Sequence, residues 1–148
     1  MILLKSYYQL CKPNVVYMML ICAFVGMLLA EETVRSFDYL FIALSGIALC
    51  SASAAAINQV IDRNTDASMT RTDQRPLPKG ELSATHASVF AFVIGVIGAL
   101  ILYFYVNTLT MILTIASLIG YAFIYTIYLK RATPQNIVIG GLAGAAPP

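Results

Sequence analysis

The sequence SGIALCSASAAAINQVIDRNTD, residues 45–66, decides the fold. Its first part is an apolar run rich in Ser, Ala and Gly, and its second part carries two aspartates, at Asp62 and Asp66. Small side chains let helices approach closely inside a bilayer, where no hydrophobic effect drives helices together. We therefore expect this segment to form a central helix of a membrane bundle.

Composition supports a membrane protein. Of the 148 residues, 59% are hydrophobic and 11% are charged, whereas soluble domains carry about 25% charged residues. A transmembrane helix needs about 20 apolar residues. Such stretches predict spans at residues 14–30, 39–61, 84–106 and 108–129, with a fifth segment starting near Asn136. The expected fold is all-α, a polytopic transmembrane helix bundle of about four complete spans plus the start of a fifth.

Positive charge is distributed unevenly between the two ends of these spans. One set of connections carries nearly all the basic residues, namely Lys5, Lys12, Arg63, Arg71, Arg75, Lys79, Lys130 and Arg131. The opposite set carries Arg35 alone. Cytoplasmic connections are enriched in Lys and Arg, so the N-terminus and the connection after the second span are predicted to be cytoplasmic, most simply at a bacterial inner membrane. The net charge of +2 is too weak to suggest a nucleic-acid partner.

Oxygen-bearing side chains follow the second span at helical spacing. Asn58, Asp62 and Asp66 are separated by four residues each. If the helix continues past Ile61, they lie on one face with about 6 Å of rise between neighbours. Mg²⁺ prefers such oxygen ligands together with substrate phosphates, whereas zinc would favour His or Cys. The ladder therefore predicts a magnesium site, and Asn58, Asp62 and Asp66 are its metal-binding and catalytic candidates.

Residues 62–83 are predicted to be a polar loop of mixed charge. Such a loop is often only a solvated surface. Long loops in compact proteins are, however, more often functional than filler, and polar groups at an apolar boundary tend to mark sites. Its basic side chains could donate charge-assisted hydrogen bonds to phosphate oxygens, which favours a metal-bridged diphosphate.

Two stretches resemble a known family. NQVIDRNTDASMTRTDQRPLPKG, residues 58–80, is similar to the first Asp-rich motif, N-x-x-x-D-x-x-x-D, of the UbiA superfamily of intramembrane prenyltransferases. YLKRATPQNIVIGGLAGAAPP, residues 128–148, resembles the protohaem IX farnesyltransferase branch, haem O synthase. The first stretch indicates the superfamily, and the second is the more selective for the acceptor.

The resemblance implies a reaction and its participants. Farnesyl diphosphate would be the donor, Mg²⁺ the cofactor, and a vinyl group of haem b the acceptor, with haem as substrate and not as redox cofactor. The product would be haem O for terminal oxidase biogenesis, and the implied partners are haem-copper oxidase assembly or haem A synthase. The residues implied to contact the diphosphate are Arg71, Lys130, Lys12 and Arg63.

Two tyrosines and one histidine have less specific roles. Tyr121 and Tyr125 are four residues apart on the fourth predicted span and could face an allylic carbocation with their π-electrons, although aromatic residues at this spacing also serve as packing residues. His86, the single histidine of the chain, could ligate haem iron or be a hydrogen-bonded interface residue.

The superfamily has about nine helices and a second Asp-rich motif on a later loop. Residues 1–148 are therefore expected to be one transmembrane prenyltransferase domain in which the second motif is absent, a fragment inactive alone. Three other functions remain open. They are transfer to an aromatic acceptor such as 4-hydroxybenzoate, a non-catalytic membrane scaffold, and a CDP-alcohol phosphotransferase, whose D-G-x-x-A-R opening the sequence lacks.

Overall fold

The computed structural model describes residues 2–30 and 36–129, with the backbone alone at residues 2, 30, 124, 125 and 127–129. Every regular element in this part of the chain is helical. The elements are α1 (Ile2–Leu10), α2 (Pro13–Ala30), α3 (Phe37–Ala67), α4 (Ala84–Tyr105), α5 (Thr108–Ile119) and a π-helical segment (Gly120–Leu129). The predicted all-α bundle is confirmed.

The predicted spans correspond to these elements to different degrees. Among the described residues, α3 and α4 are each long and apolar enough to cross a membrane, and α1 with α2 forms a third candidate bent by 45°. The predicted span at residues 108–129 is divided between α5 and the π-helical segment. The predicted segment near Asn136 lies outside the described residues. The span at residues 39–61 is part of a longer helix, because α3 has 31 residues and ends at Ala67.

Polar side chains mark the beginnings of three helices. Ser83 Oγ accepts a hydrogen bond from the His86 amide at 3.2 Å at the start of α4, and Asn107 Oδ1 accepts from the Thr110 amide at 2.7 Å at the start of α5. Ser36 holds the same position before α3. Such caps satisfy amide groups that have no partner inside the helix. His86 also pairs through Nδ1 with Ser83 Oγ at 2.9 Å, and it lies on the exposed side of α4.

Helix α3 is the centre of the bundle. It contacts α1, α2, α4, α5 and the π-helical segment. Its contact with α4 is made backbone to backbone: a Cβ placed on Gly98 would lie 2.8 Å from both Gly46 O and Cys50 Sγ. Ser53 Oγ donates to the Ala91 carbonyl at 2.7 Å across the same interface. The expected role of the small residues, close approach of a neighbouring helix, is confirmed.

We predict that Gly98→Ala lowers stability by about 1–3 kcal/mol, because the added methyl group meets the fixed carbonyl of Gly46 and the two helices must separate. Gly120→Ala is the matched control, since a Cβ there has no neighbour within 4 Å. Thermal unfolding in detergent micelles, followed by helical circular dichroism, measures both. Equal unfolding temperatures for the two variants would contradict the tight α3–α4 contact.

Candidate functional site at the end of helix α3

The oxygen ladder lies on one face of α3 and is buried. Asn58 is 4% exposed, and Asp62 and Asp66 are 3% exposed each. Asn58 Nδ2 donates to Asp62 Oδ2 at 3.3 Å. The helix continues through Ala67, so all three side chains project from regular helix, as the spacing requires. The predicted loop at residues 62–83 is therefore wrong in its first part: the loop comprises residues 68–83, because the acidic residues extend the helix.

Lys12 reaches the ladder from the break between α1 and α2. Its ammonium donates to Asn58 Oδ1. The backbone of Lys12 has φ of 48°, a left-handed conformation that costs a residue with a side chain roughly 1–2 kcal/mol. Pro13, the first residue of α2, follows directly. The resemblance implied that Lys12 binds diphosphate, and the structure brings it to the same place as the ladder.

Gln59, which no sequence motif marks, holds this break against α3. Gln59 Nε2 donates to the Leu10 carbonyl at 2.9 Å and to the Gln9 carbonyl at 3.2 Å. These are the last residues of α1, whose carbonyls have no partner inside that helix. Neighbouring residues of α3 thus hold the end of α1 and the side chain of Lys12.

Thr126 contacts the ladder from the π-helical segment. Its Oγ1 accepts from Asn58 Nδ2 at 2.9 Å and donates to the Tyr121 carbonyl at 2.9 Å. Thr126 is fully buried. The only sequence signal for it is a hydroxyl group in an apolar span, next to Tyr125. The Tyr125 side chain lies outside the described part of the structure.

Arg75 binds the far end of the ladder. Its Nη1 lies 2.5 Å from Asp66 Oδ2, and Thr72 Oγ1 donates to the Asp66 carbonyl at 3.0 Å. The loop therefore folds back over the end of α3. Arg63 and Arg71, implied to contact diphosphate, are exposed, and Lys130 lies outside the described residues.

Two further acidic residues of the loop have defined surroundings, and one of them, Glu81, connects the loop to α1. Glu81 Oε2 accepts from Ser6 Oγ at 2.6 Å. Oδ1 of Asp73 is buried and has no hydrogen-bond partner within the described part of the chain.

An apolar cavity of about 270 Å³ begins one helical turn before Asn58. On α3 its wall is formed by Ile47, Cys50, Ser51, Ala54 and Ala55, and Tyr121 lines it from the π-helical segment. Helices α2 and α5 supply the rest. Thr114 lines it as well, and its Oγ1 is buried without a hydrogen-bond partner in the described residues. The volume is near the lower limit of small-ligand pockets, about 300 Å³. A polar ladder thus adjoins an apolar chamber.

The residues present fit Mg²⁺. The ladder offers carboxylate and amide oxygens, which Mg²⁺ prefers. No three His, Cys, Asp or Glu side chains group together in residues 2–30 and 36–129, so the described residues give no cluster of the kind that structural zinc requires. A magnesium ion here would take one or two carboxylates and complete its shell with water or phosphate oxygens.

The fold and site define a polytopic membrane protein with a buried polar site at the end of its central helix. The profile of the UbiA prenyltransferase family matches residues 19–148. The chain belongs to this family.

Curated relatives have one name in common. The chain is 60% identical over 144 residues to Protoheme IX farnesyltransferase 2 of Pseudoalteromonas atlantica, 97% of this chain and 47% of that protein. It is 58% identical to the Protoheme IX farnesyltransferase of Idiomarina loihiensis and 57% identical to that of Shewanella oneidensis, in each case over 97% of this chain and 48% of the relative. The chain therefore spans about half the length of these relatives. No solved structure gives a significant match.

We predict that Thr126→Val lowers stability by about 1 kcal/mol or more, because Asn58 Nδ2 loses an acceptor inside the bundle. Thr85→Val makes the same change at an exposed position of α4 and should have little effect. Unfolding temperatures in detergent micelles test this, and an equal change in both variants would contradict the buried Asn58–Thr126 hydrogen bond.

Proposed function

We propose that this chain carries the diphosphate-binding half of a Mg²⁺-dependent farnesyltransferase. In the full reaction a new C–C bond would join the farnesyl group to a vinyl group of haem b as the allylic C–O bond breaks and pyrophosphate leaves. Water would then add to give the hydroxyethylfarnesyl group of haem O, for terminal oxidases. The observation that carries this proposal is the buried Asn58–Asp62–Asp66 ladder directly beside an apolar cavity. The names of the relatives support the acceptor.

The ladder would hold the metal through Asp62, Asp66 and the amide of Asn58. Mg²⁺ bound there would supply electrostatic stabilisation of the pyrophosphate charge that grows as the allylic C–O bond breaks. Cationic side chains add to this effect where they can donate to phosphate oxygens. Lys12 is already at the ladder, and Arg63, Arg71 and Lys130 are proposed to contribute from the same side.

The cavity would receive the isoprenoid chain. Its lining surface is mostly apolar, and such walls exclude water that would otherwise capture the allylic cation. Tyr121 lines this cavity, so its ring is available to stabilise the cation through its π-electrons. The ladder and the cavity share α3, which would orient the donor with its diphosphate at the polar end and its chain in the bundle.

The basic connections favour placing the ladder on the cytoplasmic side of a bacterial inner membrane. Both substrates are amphipathic and could reach the site from the bilayer, farnesyl diphosphate with its head at the ladder and haem b as the acceptor. Delivery to haem A synthase or to haem-copper oxidase assembly would follow from the nature of the product.

The test uses a chimera in which this chain replaces the matching 47% of the Pseudoalteromonas atlantica relative. We expect membranes containing it to form farnesylated haem from farnesyl diphosphate and haem b, and Asp62→Asn or Asp66→Asn to reduce the rate about 100-fold or more. Asp38→Asn is the matched control, since Asp38 is exposed at the opposite end of α3.

Mass spectrometry of the product with haem b or 4-hydroxybenzoate distinguishes the acceptors. Prenylation of hydroxybenzoate and not of haem would show the aromatic-acceptor function. Normal turnover by both aspartate variants at equal membrane abundance would favour a scaffold role for the ladder.

A further inference from the structure

Each end of the ladder is occupied by a cation of the protein itself. The Lys12 ammonium donates to Asn58 Oδ1, and Arg75 Nη1 lies 2.5 Å from Asp66 Oδ2. These oxygens belong to the same groups that would ligate a metal ion. Ammonium, guanidinium and metal ions all seek the lone pairs of such oxygens. A divalent cation therefore competes with Lys12 at one end and with Arg75 at the other.

The net charge of the ladder and its cations determines what must bind together with a divalent cation. Asp62 and Asp66 are buried carboxylates, and buried charges are stable when they are paired. Within the described part of the chain, Lys12 and Arg75 bring two positive charges to the ladder, and these offset the two carboxylates. Adding a divalent cation alone would leave an excess of positive charge in a poorly solvated place. Simultaneous entry of an anion such as a diphosphate would remove that excess.

We propose that Lys12 and Arg75 are exchangeable counter-cations of the ladder. They release Asn58 and Asp66 when a divalent cation binds, and they then donate to the diphosphate that enters with it. The inference rests on the proposed function and specifies its binding order: metal alone binds weakly, and metal with diphosphate binds tightly. Both side chains suit this exchange, because lysine is a flexible point charge and arginine a strong donor to phosphate.

The exchange predicts opposite effects on two affinities. With Lys12→Met or Arg75→Met, a divalent cation no longer displaces a charge-assisted hydrogen bond and should bind about tenfold more tightly. Pyrophosphate loses a cationic donor and should bind about tenfold more weakly. Damage to the site would weaken both affinities.

The experiment measures binding to the purified chimera in detergent micelles. Electron paramagnetic resonance of free Mn²⁺ gives the dissociation constant of the metal alone. Equilibrium dialysis of inorganic pyrophosphate at a fixed free Mn²⁺ concentration gives the dissociation constant of pyrophosphate. Lys5→Met and Lys5→Gln are the matched controls, since each removes one exposed positive charge from α1.

We expect Lys12→Met and Arg75→Met to shift the two constants in opposite directions, and the controls to shift neither by more than about twofold. Lys12→Arg and Arg75→Lys retain the charge and should keep the weak binding of metal alone. These two charge-retaining variants also test the proposal if a methionine variant fails to fold. If either of them bound Mn²⁺ about tenfold more tightly than the unaltered chimera, the exchange would be overturned.

Two results separate this inference from the proposed function. If the unaltered chimera binds no Mn²⁺ with or without pyrophosphate, the proposed metal site is wrong and the exchange with it. If it binds Mn²⁺ but the methionine variants weaken both constants, or shift them no more than the controls do, the metal site stands and the exchange is wrong.

Discussion

Burial of two carboxylates on one face of α3 is the constraint on which the rest of the site depends. An ion taken out of water costs several kcal/mol unless it is paired. Asp62 and Asp66 are almost fully buried. Asn58 donates to Asp62 and Arg75 pairs with Asp66, and the groups that contact the ladder come from three separate segments. Lys12 comes from the break before α2, Arg75 from the loop after α3, and Thr126 from the π-helical segment. One helix face therefore fixes where three other parts of the chain must lie.

The close packing of α3 against α4 makes room for this arrangement. Gly98 and Ser53 keep the two helices in backbone contact on one side of α3. The helix is then free to present its other side to α2, α5 and the π-helical segment, and the cavity lies there, against Ala54 and Ala55. The same run of small residues thus serves two purposes. On the α4 side it allows close packing without a gap, and on the opposite side it leaves room for the cavity.

Sequence reasoning predicted the parts that depend on local pattern. The apolar spans correspond to helices because apolar length determines which segments can cross a bilayer, and the ladder lies on one face because the helical period is regular. The predicted start of the loop at Asp62 is wrong, since the acidic residues continue α3 to Ala67. Helix α1 was missed, because nine residues are too few to give a span.

The partners of the ladder depend on contacts between distant parts of the chain, which a single sequence does not specify. Thr126 meets Asn58 across a separation of 68 residues, and Lys12 meets it across 46. Arg75 is closer in sequence, but the family resemblance implies Arg63 and Arg71 and not Arg75. Arg75 meets Asp66 because the loop folds back over the end of α3. Charge and spacing thus identified the ladder, whereas the choice of its counter-ions belongs to the tertiary structure.

The break between α1 and α2 shows how firmly the ladder determines its surroundings. Gln59 holds the last carbonyls of α1, and Pro13 is preorganised to start α2. Few residues remain to turn the chain between these two fixed points, and Lys12 takes the left-handed conformation. That conformation is unfavourable for lysine, but it brings the ammonium to Asn58, the residue next to Gln59. The unfavourable backbone conformation of Lys12 is therefore what allows its charge-assisted hydrogen bond to Asn58. Two consecutive side chains of α3, Asn58 and Gln59, fix the positions of the Lys12 ammonium and of the end of α1.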